Sequence, residues 1–300
     1  MRRSLTGRPP TQADVKLDMQ TITTVAELRR ALSKARRVDK RVGFVPTMGY
    51  LHDGHLALIE ASHAQCDVTV VSIFVNPTQF GPNEDLSTYP RDFQRDEKLC
   101  CDAGVAIVFA PAAHEVYPAQ FETFVEPGEL AKPLCGAFRP GHFRGVATVV
   151  SKLFNMVQPD VAFFGQKDFQ QCAVVRRMAI DLDFPIEIVT VPTVREADRL
   201  AMSSRNRYLS EGDRGRALAI SRGLFAAAEE FGLGERNVDK LIAIAKRHLG
   251  AADRLQYLEL VDGDTLEPAG SPLHRPAALC VAAYVGSTRL IDNVILQPTP

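Results

Sequence analysis

Two histidines three residues apart enclose an aspartate and a glycine in His52-Asp53-Gly54-His55, shortly after the apolar run Val42-Gly-Phe-Val-Pro46. A chain that leaves a buried strand through a turn and opens a helix exposes unpaired backbone N–H groups and the positive end of the helix dipole, a natural seat for phosphate. Gly49 and Gly54 let backbone approach a ligand with no Cβ in the way. The i,i+3 spacing projects His52 and His55 from one side of the turn, where ring N–H groups donate to phosphate oxygens. Two other chemistries use the same residue types. Metal ligation needs a third ligand, and none lies at a familiar zinc offset. Capping of the helix by its own histidines is the third. The stretch alone leaves all three open.

A second cluster stands far downstream in Leu200-Ala-Met-Ser-Ser-Arg-Asn206. Ser203 and Ser204 are hydroxyl donors, and Arg205 adds a bidentate cationic fork suited to phosphate. Read in isolation, the segment is equally a polar linker.

The elements that must hold these groups follow from the hydrophobic pattern. Helices are predicted over Val25–Ala35, Leu56–Ala64, Asp92–Ala103, Val146–Val157 and Phe169–Asp181, alternating with strands over 42–45, 68–75, 105–110, 161–164 and 186–191. Strands apolar at every position are buried on both faces, and helices between them make parallel crossovers. The fold class is therefore α/β, a Rossmann-like doubly wound parallel sheet over residues 19–192. From 193 to 300 two helices (212–231 and 237–249) precede three strands (255–261, 278–285 and 288–296) with turn signals at Gly263 and Gly286. That order predicts a smaller α+β C-terminal domain with strands joined by short turns. Residues 1–18, polar and holding a Pro-Pro pair, read as a flexible tail without the apolar stretch of a signal peptide.

Composition narrows the function classes. A net charge of -1 over 300 residues offers no polybasic surface for nucleic acid, and no apolar run approaches the roughly 20 residues of a membrane helix. The six cysteines show no CxxC spacing and sit in apolar segments, as buried reduced thiols of a cytoplasmic protein do.

Between the two clusters lie Phe74-Val-Asn-Pro-Thr-Gln-Phe-Gly81, Tyr89-Pro-Arg91, Arg139-Pro-Gly-His-Phe-Arg-Gly145 and Phe164-Gly-Gln-Lys-Asp-Phe-Gln-Gln171. With Pro46-Thr-Met-Gly49, the His-Asp-Gly-His run and Met202-Ser-Ser-Arg-Asn206, in that order, the chain closely resembles the pantothenate synthetase (pantoate–β-alanine ligase) family of the HIGH/KMSKS nucleotidyltransferases. The resemblance runs from about residue 20 to Thr288-Arg-Leu-Ile-Asp-Asn293. It implies an AMP-forming ligase: (R)-pantoate attacks the α-phosphate of MgATP, and β-alanine then takes the pantoyl group from the adenylate.

The resemblance also assigns residues. ATP is expected on Met48, Gly49, Tyr50, Leu51, His52, Asp53, Gly54 and His55, on Gly165, Gln166, Lys167 and Asp168, on Val194 at the adenine side, and on Met202, Ser203, Ser204 and Arg205. Of these, His52, His55, Lys167, Ser203, Ser204 and Arg205 are the expected catalytic set, with His55 directed at the departing pyrophosphate as proton or hydrogen-bond donor. Gln79, Gln171, Asn76 and Met48 are expected at pantoate and β-alanine, and Asp96 as a magnesium ligand. Family members are homodimers through the N-terminal domain, which sets the same expectation here. Two positions depart from the family pattern: Gln166 stands where it commonly has Glu, and Arg199 where it favours Gly. A tRNA synthetase fragment would need a basic RNA-binding surface, which this composition lacks. A non-catalytic nucleotide-binding protein has only those two departures in its favour.

Overall fold

A strand with no polar face cannot sit at a solvated surface, and the central strands of this chain have none. In the computed structural model, which describes residues 19–82 and 84–298, β2 (Val42–Thr47), β3 (Val68–Ile73) and β5 (Val161–Gly165) are buried at all but one position each. Together with β1 (Gln20–Ile22), β4 (Ile107–Phe109) and β6 (Glu187–Val191) they form one parallel sheet in the order β1-β4-β3-β2-β5-β6. The chain winds outward from β2 to β3 on one side and to β5 on the other. That reversal opens a crevice beyond the carboxyl ends of the strands. The expected tail, residues 1–18, lies outside the described residues.

Element ends differ from the sequence pattern in ways that matter for the site. The helix predicted from Leu56 begins at Asp53, so His52 is its N-cap and His55 lies in its first turn. The helix predicted from Val146 begins at His142 after Gly141 in a left-handed conformation, which places Arg139 and His142 at its mouth. Twelve of its sixteen residues are buried, and Phe154 packs edge-on against Phe44 of β2. β1 was not legible as a strand: at three residues it is too short to show a period, and pairing with β4 defines it.

The second unit holds helices Glu211–Gly232 and Val238–His248 and an antiparallel sheet of β7 (Arg254–Asp262), β8 (Ala277–Val285) and β9 (Thr288–Leu296). β8 and β9 are joined by the expected tight turn at Gly286, but β7 and β8 are separated by residues 263–276 rather than by a short turn. β8 alternates as a strand between two apolar layers must. Leu279, Val281 and Ala283 pack with the two helices, whereas Ala278, Cys280 and Ala282 join the core of the parallel unit. Four cysteines are buried as expected, but Cys66 is half-buried and Cys101 is exposed, because Cys101 lies on the solvent face of its helix.

Candidate active site

The crevice is a cavity of about 230 Å³ whose walls begin where the strands end. β2 delivers Thr47 and Met48, the β3 exit delivers Asn76, β5 delivers Gly165 and Lys167, and β6 delivers Val194. Met202, Ser203, Ser204 and Arg205 come from the later part of the chain.

The two histidines cap their own helix and face the cavity at once. Nδ1 of His52 accepts from the Gly54 N–H (3.1 Å), and Nδ1 of His55 accepts from the His52 N–H (3.2 Å). A backbone N–H is only a donor, so both Nδ1 atoms are unprotonated and each neutral ring carries its hydrogen on Nε2. Gly54 is required for this reciprocal capping, because a Cβ there would lie 2.9 Å from the His52 ring. Burial, and then the Lys167 ammonium, lower the His52 pKa to about 4. Burial, His52 and Lys167 hold His55 well below its ordinary value. At neutral pH the rings are uncharged donors, their centres 4.1 Å apart and their planes tilted by 40°.

Asp96 holds the turn before them. Its side chain is 1% exposed, and its two oxygens accept from the N–H groups of Tyr50 (2.6 Å) and Leu51 (2.7 Å). Gly49 turns at φ +81°, with the Asp96 carboxylate 3.0 Å from where a Cβ would sit. Burial pushes the Asp96 carboxyl up, opposed by those two N–H groups. The expected magnesium ligand is thus a backbone anchor, because both of its oxygens are already committed away from the cavity.

Asn76 is also reassigned. Its Nδ2 donates to Gln79 Oε1 (3.0 Å) and to the Gly145 carbonyl (3.1 Å), while Oδ1 accepts from Tyr117 (2.8 Å) and Thr78 (3.0 Å). With both donors used, it orients Gln79 and has none left for a substrate. Gln79 in turn directs Nε2 to the Met48 sulfur, 3.2 Å away. Gln171 lines the same cavity from the helix that starts at Phe169.

The Ser-Ser-Arg loop meets the histidine loop directly. Ser204 Oγ donates to the Tyr50 carbonyl (3.3 Å), and Ser203 caps its own turn by accepting from the Arg205 N–H. Arg205 donates through Nε and Nη2 to both oxygens of Asp85, at 2.8 Å each, and lies over the Tyr89 ring. Its Nη1 makes no hydrogen bond among the described residues.

Tyr89, Arg139 and His142 also line the cavity, although sequence reasoning gave them no task. His142 Nδ1 donates to the Gln79 carbonyl (2.9 Å), Nε2 accepts from Arg139 (3.1 Å), and Arg139 pairs with Glu84. Burial and the adjacent Arg139 lower the His142 pKa to about 4. Their signal was the Arg-Pro-Gly-His run, which reads as a turn until the helix is known to start at His142.

Comparison with known proteins shows the family. The family model described as pantoate-beta-alanine ligase matches residues 20–295. The chain belongs to the pantoate–β-alanine ligase family. It is 77% identical over 282 residues to pantothenate synthetase 1 of Bradyrhizobium diazoefficiens, covering 94% of this chain and all of that relative. The crystal structure of pantothenate synthetase from Thermus thermophilus superposes with a TM-score of 0.89 at 49% identity, covering 93% of this chain and 100% of that one. A Francisella tularensis pantoate-beta-alanine ligase, crystallised in complex with beta-gamma ATP and beta-alanine, matches with a TM-score of 0.75 at 32% identity, covering 94% and 99% of the two chains.

Against the residues that the family pattern suggested, Met48, His52, Gly54, His55, Gly165, Lys167, Asp168, Val194, Met202, Ser203, Ser204, Arg205, Gln79, Gln171 and Asn76 reach the cavity. Besides Asp96, five others do not, and the 48–55 stretch is not an unbroken wall. Leu51 is fully buried in the core, because the chain must re-enter apolar packing before the helix. Gly49 shapes the turn, and the Tyr50 ring takes the guanidinium groups of Arg95 and Arg207 at 5.1 and 4.7 Å from its centre. Asp53 is exposed at the first helical position. Gln166 points to β9, donating to Asn293 Oδ1 at 3.1 Å.

Proposed function

We propose that the chain condenses (R)-pantoate with β-alanine using ATP, giving pantothenate, AMP and pyrophosphate through a pantoyl adenylate. One observation carries the reading: two sets of phosphate donors, distant in sequence, meet in one cavity beside neutral amides and an apolar wall. A pantoate carboxylate oxygen bonds to the α-phosphorus as the bond to the bridging oxygen breaks and pyrophosphate leaves. The amine of β-alanine then attacks the pantoyl carbonyl carbon, and AMP departs with the electron pair of the acyl–oxygen bond.

Phosphoryl transfer of this kind needs position and charge more than covalent help. His52 and His55 donate to the triphosphate from Nε2–H, and Lys167 supplies an ammonium. Ser203, Ser204 and the Nη1 of Arg205 close from the other side. His55 is a hydrogen-bond donor rather than an acid here, since a ring held neutral with Nδ1 occupied has no extra proton to give. Gln79 and Gln171 serve the pantoate hydroxyls without adding charge, and Val146 and Val150 offer its methyl groups an apolar seat. Val194 flanks the adenine side.

Magnesium fits the cavity as a companion of the nucleotide. Mg²⁺ keeps several waters and is commonly held by one or two carboxylates plus substrate phosphates, and Asp168, exposed beside Lys167, is the carboxylate on the wall. It supplies neutralisation of phosphate charge. The domain division at 192/193, a lid role for residues 193–300, a homodimer through the N-terminal unit and a cytoplasmic location complete the reading. The six unpaired thiols support the last of these. Among the described residues no helix is long and apolar enough to cross a membrane.

Pantoate-dependent exchange of pyrophosphate into ATP, followed by AMP release on adding β-alanine, tests the proposal. Exchange driven by an amino acid instead of pantoate, or no exchange with any acid, would refute it.

A further inference from the structure

β9 reaches the active site without lining the nucleotide cavity. Asn293, 2% exposed, donates both Nδ2 hydrogens to consecutive carbonyls of the Lys167 turn, Gln166 (2.9 Å) and Lys167 (3.1 Å). Gln166 Nε2 returns a hydrogen bond to Asn293 Oδ1, so the amide has one orientation only. The preceding residue, Asp292, is 3% exposed and grips Arg195 through both oxygens, at 2.7 and 2.9 Å. Arg195 follows Val194, pairs across a β-bridge with Ala201, and donates to the Arg199 carbonyl. Two adjacent residues of the small sheet therefore fasten the turn that carries Lys167 and the hairpin that leads into Met202–Arg205.

We propose that Asn293, backed by Asp292, is a positioning residue for adenylation: it fixes the Lys167 ammonium at one distance from the Ser-Ser-Arg loop, so that both meet the same triphosphate. The backbone of a turn after a strand has many accessible conformations, and displacement of a reacting group by about 1 Å costs on the order of 100-fold in rate. Two hydrogen bonds from a buried amide remove that freedom. The inference rests on the ATP-dependent ligase reading for Lys167.

A double-mutant cycle between Asn293→Ala and Lys167→Ala tests it, since residues acting as one unit lose additivity. With Lys167 present, Asn293→Ala is expected to slow pantoate-dependent pyrophosphate exchange about tenfold while pantoate affinity stays within about twofold. In the Lys167→Ala background the same substitution should cost less than about twofold. An equal loss in both backgrounds, or no loss in either, overturns the proposal. Should Asn293→Ala not fold, Asn293→Leu, which keeps the side-chain volume and removes both donors, enters the same cycle. Failure of the ligase reading would appear separately, as no exchange in the unaltered chain. ATP affinity by calorimetry then reads the cycle, with a severalfold loss confined to chains that keep Lys167.

Discussion

The His52 backbone N–H donates to Nδ1 of His55 across 3.2 Å, so the residue nearest the proposed pyrophosphate also closes the helix that carries it. One ring nitrogen is structural and the other is free for ligand. These tasks separate by substitution. In His55→Asn the amide oxygen stands near the position of Nδ1 and keeps the cap, but nothing replaces Nε2–H. Pyrophosphate exchange should fall by about 10² to 10³ with thermal stability nearly unchanged. His55→Ala should lose the same rate and about 1 kcal/mol of stability besides. Equal stability of the two variants would remove the capping role, and near-normal exchange in His55→Asn would remove the donor role.

Protonation gives a second expectation. His52 and His142 titrate at about 4 in the folded chain, and His55 is also lowered, against 6.5 for an unperturbed imidazole. Between pH 6.5 and 4 the unfolded chain binds more protons at these sites, so stability must fall as pH falls through that window and level off above it. Melting temperature followed from pH 8 to 4 checks this. His52→Gln should flatten the decline, and an undiminished slope would show that the depression lies elsewhere. Exchange should show no histidine break near pH 6.5.

Asp96 separates anchoring from metal binding. Asp96→Asn exchanges one acceptor oxygen for a donor facing a backbone N–H. The loss should be about 2 kcal/mol, the scale of a hydrogen bond to a buried charged group. Exchange should weaken through the loosened 49–51 turn, while the magnesium concentration for half-maximal rate stays unchanged. A large rise in that concentration would restore Asp96 as a ligand.

Arg199 sits at φ +73°, a left-handed conformation that costs a residue with a Cβ roughly 1 to 2 kcal/mol. Its guanidinium, 5.3 Å from the centre of the Phe225 ring, recovers part of that. Arg199→Ala keeps the strain and loses the contact, whereas Arg199→Gly loses the contact and the strain together. The glycine variant should unfold at higher denaturant than the alanine variant, by about 1 kcal/mol. The reverse order would contradict the strain. Gln166, the other departure from the family pattern, needs no such compensation, because its amide is paired with Asn293.

The parallel sheet and the residues able to bind phosphate were legible because both are local in origin. Strands apolar at every position and helices with a buried stripe report their surroundings through neighbours in the chain. A strand end followed by Gly-Tyr-Leu-His-Asp-Gly-His needs only local geometry to present donors. What the tertiary structure decided is which atoms are already spent. Asn76 and Asp96 have the same residue types as substrate and metal ligands, and only the approach of Gly145, Tyr117, Tyr50 and Leu51 shows the donors of one used and the other buried as an anchor of the turn. Arg139 and His142 became cavity residues once a helix began four positions earlier than its apolar period. The pairing of Asn293 with the Lys167 turn joins positions 126 residues apart, and no periodicity encodes a contact at that separation. Sequence determined which groups could donate; folding determined which of them still have a hydrogen to give.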